Sequence, residues 1–199
     1  MRDQQEFFDT RAKTWEKTCY PPQTRKRLEQ LVEEFSLCPG ACVLDVGTGS
    51  GVLQPYVRQI IGPSGRIVAF DLSFNMIHEA RTKELSSHDL FFQGNAQAMA
   101  LHANSFDHVI CFAAFPHFPN ALTALCELSR VAKPGAEVII AHLLSREELA
   151  KHHGAHDAVA DDVLPNDDEM RALFAQAGLH PPQITDCPGR YMARARKRP

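Results

Sequence analysis

The chain alternates between two hydrophobic patterns. One has helical spacing, as at Leu28, Leu31, Val32 and Phe35 within TRKRLEQLVEEF, closed by Pro39-Gly40. The other consists of short apolar runs, such as ACVLDVG, RIVAFD, LFFQ, FDHVICFAAF and EVIIAH, each bounded by turn residues. The first kind predicts helices over about 3–17, 24–35, 53–61, 74–84, 121–131, 145–153 and 167–177. The second predicts strands over about 41–46, 66–71, 90–93, 106–115 and 137–144. Lys133-Pro134-Gly135 reads as a turn before the last of these. Two further strands, about 182–186 and 190–196, flank a Cys-Pro-Gly turn, and so short a connection makes them antiparallel neighbours.

Strands alternating with helices imply parallel βαβ units with right-handed crossovers. The predicted class is therefore α/β: a Rossmann-like, seven-stranded, mostly parallel sheet with helices on both faces and the last strand antiparallel. No internal repeat or linker interrupts the 199 residues. They read as one domain, a helical cap over 1–38 and a core over 39–199. In such sheets ligands sit beyond the carboxyl ends of the strands.

One stretch asks for a ligand. VLDVGTGSGVL places Gly47, Gly49 and Gly51 directly after an apolar strand that holds Asp45. Glycines there let a backbone approach a bound molecule, and the helix amides behind them favour an anionic group. Gly51 is followed by Val52-Leu53 rather than Lys-Ser/Thr, so this is not a phosphate loop. The Gly-x-Gly-x-Gly spacing also differs from the dinucleotide fingerprint. Asp71 ends the next strand, where a carboxylate can accept both hydroxyls of a ribose. Asp45 is placed to help hold a cationic amine. A ribose, an amine and no phosphate suggest S-adenosylmethionine. A tight turn without a ligand would leave both acids unexplained, although Asp71 alone could cap a helix.

These residues resemble the class I S-adenosylmethionine-dependent methyltransferases over nearly the whole chain. VLDVGTGSG resembles their first motif and VAFDLSFNMI their second. QGNAQAMALHANSFDHVICFAAFPHF resembles the stretch usually written Gly-Asp-Ala, Leu-Pro, Ser-Phe-Asp, and RVAKPGAEVIIAH resembles the entry to the fifth strand. FFDTRAKTWEK resembles the cap of the quinone-biosynthesis (ubiquinone/menaquinone, type 11) members. The resemblance implies a cofactor site of Asp45, Gly47, Thr48, Gly49, Gly51, Asp71 on the ribose, Leu72, Met76 on the adenine, Asn95, Ala96 and Phe112. Asn95 stands where an Asp normally takes the adenine amino group; its amide oxygen can still accept that bond. Met76 and Phe112 could equally be core. Ala100-Leu101-His102 replaces the usual Leu-Pro-Phe.

The acceptor side rests on histidines. His117, after the fourth strand, and His142, ending the fifth, would flank the departing methyl group as catalytic residues. Trp15, Tyr20 and His153 join them as substrate contacts. Phe7, Phe8, Trp15 and Tyr20 form either an aromatic lid or a helix fastened to the sheet. His152, His153 and His156, with Asp161 and Asp162, follow nearby. Three readings stay open: a general base for a protonated acceptor, a metal or metal-bearing substrate, or capping and solvated residues. The spacing matches no zinc signature, so no metal site is assigned.

Net charge is −3, which gives no field to gather nucleic acid, and the basic 190–198 end reads as a solvated tail. No apolar run approaches a membrane span, and MRDQQEFFDTRAKTWEK lacks the core of a signal peptide. Six scattered cysteines without a Cys-x-x-Cys pair fit reduced thiols in the cytoplasm. The expectation is an enzyme moving methyl from S-adenosylmethionine to a small molecule, with a homodimer left open. The rivals are a nicotinamide-dependent oxidoreductase and a non-catalytic cofactor- or metal-binding protein.

Overall fold

The computed structural model describes residues 2–83, 86–154 and 159–199. Its centre is a seven-stranded sheet in the order β3-β2-β1-β4-β5-β7-β6. The strands are β1 (Cys42–Val46), β2 (Arg66–Asp71), β3 (Leu90–Gln93), β4 (Phe106–Phe112), β5 (Ala132–His142), β6 (Gln183–Cys187) and β7 (Arg190–Arg196). β1 to β5 pair in parallel, and β7 alone runs against its neighbours β5 and β6. This is the expected architecture.

Both faces of the central strands are apolar because both are covered. Leu44, Val46, Val68, Phe70, Val109, Cys111, Val138 and Ile140 face α5 (Ala121–Val131) and α7 (Asp167–Gln176). Their alternates Val43, Ile67, Ala69, Ile110, Phe112, Ile139 and Ala141 face α2 (Arg25–Glu33) and α3 (Gln54–Ile61). Leu28, Leu31 and Val32 of α2 are buried as their spacing predicts, and Phe35 is buried just past its end.

The Lys-Pro-Gly segment is not a turn but the opening of β5. Lys133 Nζ pairs with Asp107 at 2.6 Å, and the Gly135 amide donates to the Lys197 carbonyl at 3.0 Å. These bonds draw the segment into the sheet, with a register shift between Phe106 and His108. α4 (Phe74–Arg81) stops short of the expected end; Glu84 and His156 lie outside the described residues. α6 (Arg146–His153) and α7 both start in capping boxes, set by Ser145 with Glu148 and by Asn166 with Glu169.

α1 (Arg2–Cys19) lies against α4. Asp9 Oδ1 accepts from Ser73 Oγ at 2.5 Å and from the Asn75 amide at 3.2 Å, and Glu16 pairs with Lys83 at 2.5 Å. The cap thus rests across the carboxyl ends of β1 and β2.

Candidate functional site

The three glycines do different work. Gly47 (φ +67°) turns the chain out of β1, and a Cβ there would lie 2.4 Å from the Ala114 Cβ. The loop and the exit of β4 touch so closely that only hydrogen fits. Gly49 (φ +55°) points its amide at the Asp71 carboxylate, Oδ2 at 2.8 Å. Gly51 lies deeper: a Cβ would strike the Gln54 side chain at 2.8 Å, and this residue packs α3 rather than lining the cavity.

Asp71 accepts from Gly49 with one oxygen and from the Ser73 amide at 2.9 Å with the other. Burial pushes its pKa up, and the two amide bonds oppose that. It does not cap α4; Ser73 does, accepting the Met76 amide at 3.1 Å. Asp71 therefore holds the glycine loop and the start of α4 in one frame. Around it Gly47, Thr48, Gly49, Leu72, Met76, Asn95, Ala96 and Phe112 line one chamber. Asn95 Oδ1 already accepts the Gln97 amide at 2.9 Å and has a second lone pair for a ligand.

Asp45 is different. It is buried behind the loop, not on the chamber wall. Its Oδ2 accepts from the Thr48 hydroxyl at 2.5 Å, and Thr48 in turn accepts from Gln54 Nε2 at 2.8 Å. Burial raises its pKa to about 6, against the Thr48 bond and with a push from Asp71. An acid whose folded pKa is raised opposes folding when ionised; that penalty is present above about pH 6 and fades toward pH 4. Asp45→Asn is therefore expected to raise the stability of the ligand-free protein at pH 8 by on the order of 2 kcal/mol. The gain should shrink to roughly a third at pH 4.5, as read by thermal unfolding at both pH values. A loss that persists at both would mean that Asp45 stabilises the loop in its ionised form.

The second chamber, about 520 Å³, opens beside the first and shares Phe8, Trp15, Tyr20, Phe112, Ala113 and His117 with it. That is room for a small organic ligand. His142, His152 and His153 also line it. Burial, helped by the neighbouring histidines, drives the His142 pKa down to about 3, so its ring is neutral. Its Nδ1 accepts the Leu144 amide at 3.0 Å, which leaves the ring hydrogen on Nε2. His142 is thus a hydrogen-bond donor at neutral pH and not a base. His117 has the opposite arrangement: its Nδ1 lies 2.7 Å from Asp162 Oδ2. His153, its pKa lowered by burial, sets Nδ1 against the Asp162 main-chain carbonyl at 2.5 Å. Among the described residues no group of three or more His, Cys, Asp or Glu is arranged to hold a metal ion.

Several lining residues escaped sequence reasoning. Ser50 contributes a buried hydroxyl without a protein partner. Ala113, at φ +53°, bends the β4 exit inward. Asp162 is visible in the sequence only as an acid beside the histidine cluster; it does not itself line a chamber but meets His117 from a polar loop whose fold no local pattern specifies. Phe8 was noted only as a lid residue; its ring meets both Trp15 and His117, at 5.5 and 5.2 Å between centroids.

Residues 44–140 match the family model described as a methyltransferase domain. The demethylmenaquinone methyltransferase of Lactococcus lactis subsp. lactis is 34% identical over 146 residues, which cover 72% of this chain and 55% of that protein. The ubiquinone/menaquinone biosynthesis C-methyltransferase UbiE of Hahella chejuensis is 28% identical over 167 residues, 77% of this chain and 66% of the relative. The chain thus spans between half and two thirds of these relatives' lengths. Among solved structures, a SAM-dependent methyltransferase from Aquifex aeolicus superposes with a TM-score of 0.75 at 24% identity, covering 92% of this chain and 97% of the other. With the glycine loop, the acid ending β2 and the 3-2-1-4-5-7-6 sheet agreeing, the chain belongs to the class I S-adenosylmethionine-dependent methyltransferases.

Proposed function

We propose that this protein transfers the methyl group of S-adenosylmethionine to a small, aromatic, quinone-like acceptor. The observation that carries the reading is the pair of adjoining chambers: one framed by Asp71 and the glycine loop, the other lined by aromatic rings and imidazoles, with His117 between them. Asp71 would take the ribose hydroxyls, Met76 and Asn95 the adenine, and Asp45 would act through the field of its buried charge. Trp15, Tyr20 and His153 would contact the acceptor. His142 would donate Nε2–H to an acceptor oxygen, and His117 would stand next to the reacting atom.

The sulfonium is already a strong methyl donor, so displacement needs alignment and exclusion of water more than it needs acid or base. The aromatic cap supplies both. The names of the two quinone-pathway relatives support the acceptor class, and the apolar second chamber agrees with it. No described helix is long and apolar enough to cross a membrane, and all six cysteines are unpaired. Both fit a cytoplasmic enzyme that meets its acceptor as a free molecule, without nucleic acid; a homodimer would leave both chambers within one subunit.

Calorimetric titration with S-adenosylhomocysteine, followed by incubation with S-adenosylmethionine and 1,4-naphthohydroquinone as a probe acceptor, tests the proposal. Micromolar binding and a methylated naphthol or naphthoquinone by mass spectrometry are the expected results. Absence of S-adenosylhomocysteine binding, or binding of NADH in its place, would overturn it.

A further inference from the structure

We propose that Asp162 is a positioning residue that fixes His117 as the base for the acceptor's proton, an assignment that rests on the methyl-transfer reading above. A carboxylate only accepts hydrogen bonds at neutral pH, so the 2.7 Å contact puts the ring hydrogen of neutral His117 on Nδ1. Its Nε2 is then a bare lone pair. The same residue anchors a second ring. The main-chain carbonyl of Asp162 takes Nδ1–H of His153, whose Nε2 is bare for the same reason. The two rings lie 5.0 Å apart between centroids. His142 carries its hydrogen on Nε2, in the opposite sense.

One loop residue thereby makes acceptors of two of three chemically identical side chains, while the Leu144 amide makes His142 the donor. Phe8 packs edge-on against His117 at 5.2 Å and helps keep the ring in place. Only His117 among the three also borders the donor chamber. It is therefore the imidazole within reach of both the methyl donor and the acceptor.

In the step this implies, Nε2 of His117 takes the hydrogen from the acceptor's nucleophilic atom, or from a hydroxyl conjugated to it. The freed electron pair forms the new bond to the methyl carbon. The carbon–sulfur bond breaks, its pair goes to sulfur, and the sulfonium becomes a neutral thioether. The imidazolium, held against the Asp162 carboxylate, then releases its proton to water. No oxidant or metal enters the balance. The acceptor class narrows to molecules with an ionisable hydrogen on or conjugated to the methylated atom, beside an oxygen that can accept from His142.

The test is long-range 1H–15N correlation of the histidine rings, in 15N-histidine-labelled full-length protein saturated with S-adenosylhomocysteine at pH 8. The wild type should show His117 and His153 as Nδ1–H and His142 as Nε2–H. Asp162→Ala should release His117 to a mixture of tautomers and leave His153 unchanged, because alanine keeps the main-chain carbonyl. Asp162→Asn, whose amide oxygen can still accept, should restore much of the His117 preference. With 1,4-naphthohydroquinone as probe, Asp162→Ala should lower kcat roughly 10–100-fold, a part of the 10²–10⁴ a positioned base supplies, with KM for S-adenosylmethionine unchanged.

His117 found as Nε2–H in the wild type, or unchanged in Asp162→Ala, would overturn the assignment. So would a shift of both rings in Asp162→Ala, which marks a merely structural loop, or saturable perturbation of both bare nitrogens by one equivalent of Zn²⁺, which marks a metal pair. Failure of the underlying methyl-transfer reading would appear separately, as loss of S-adenosylhomocysteine binding in the unsubstituted protein.

Discussion

Asp71→Ala is expected to weaken S-adenosylhomocysteine binding by about 10²–10⁴-fold. Among the described residues, the substitution removes the only carboxylate on the wall of that chamber. Two hydrogen bonds from ribose hydroxyls to an ionised acceptor are worth about 1.5–3 kcal/mol each, and tenfold in affinity is about 1.4 kcal/mol. The ligand-free fold should suffer less. Asp71 is itself held at a cost, since burial raises its pKa, and removing it relieves that cost while freeing the amides of Gly49 and Ser73. Asp71→Asn, with one acceptor oxygen left, should fall between wild type and alanine. Calorimetry at pH 7.5 reads all three; affinities within threefold of one another would remove Asp71 from the ribose and with it the orientation of the donor.

Gly47→Ala is the substitution expected to damage the fold most. A left-handed backbone costs an alanine about 1–2 kcal/mol. The added methyl would also meet the Ala114 Cβ at 2.4 Å, well inside contact distance, at the junction of two central strands. Overpacking of this kind costs typically 1–3 kcal/mol. The sum, about 2–5 kcal/mol, should appear as a lower urea midpoint with an unchanged slope. Gly49→Ala is the control. Its φ is also positive, but its Cβ would meet only Trp15 Nε1, at 3.8 Å. That variant should lose only about 1–2 kcal/mol. Equal losses in the two would mean that backbone conformation, and not the pressure from Ala114, makes glycine necessary at 47.

The contrast between these positions shows what the sequence discloses. Its alternation of apolar runs and helical stripes is enough for the strands and their mostly parallel direction, though not for their order in the sheet, because a strand buried on both faces must be apolar throughout. The acid ending β2 and the glycines after β1 mark the donor chamber because parallel topology brings strand ends together. Which glycine lines the chamber was not legible. Gly51 has the same spacing as the others, yet it packs against Gln54. Asp45 reads as a direct or water-bridged contact because it sits beside the motif; that its Oδ2 is taken by the Thr48 hydroxyl behind the loop could not be read from spacing. The histidines were visible as a cluster, whereas their division into donor and acceptors depends on Leu144 and Asp162. One is a neighbour in sequence, and the other lies 45 residues from the ring it orients. The turn expected at Lys133-Pro134-Gly135 failed for a related reason: its partners, Asp107 and Lys197, are distant along the chain.

The single reversed strand also settles where a handle can be attached. Because β7 runs against β5, the residues after Arg196 emerge at the pole where β4 and β5 begin; Lys197 reaches Asn104 there and its carbonyl receives the Gly135 amide. The chambers open at the other pole, under the first helix. A surface anchor or fluorescent reporter carried beyond Arg196 would leave the mouth of both chambers clear, while the same cargo on the first helix would crowd it.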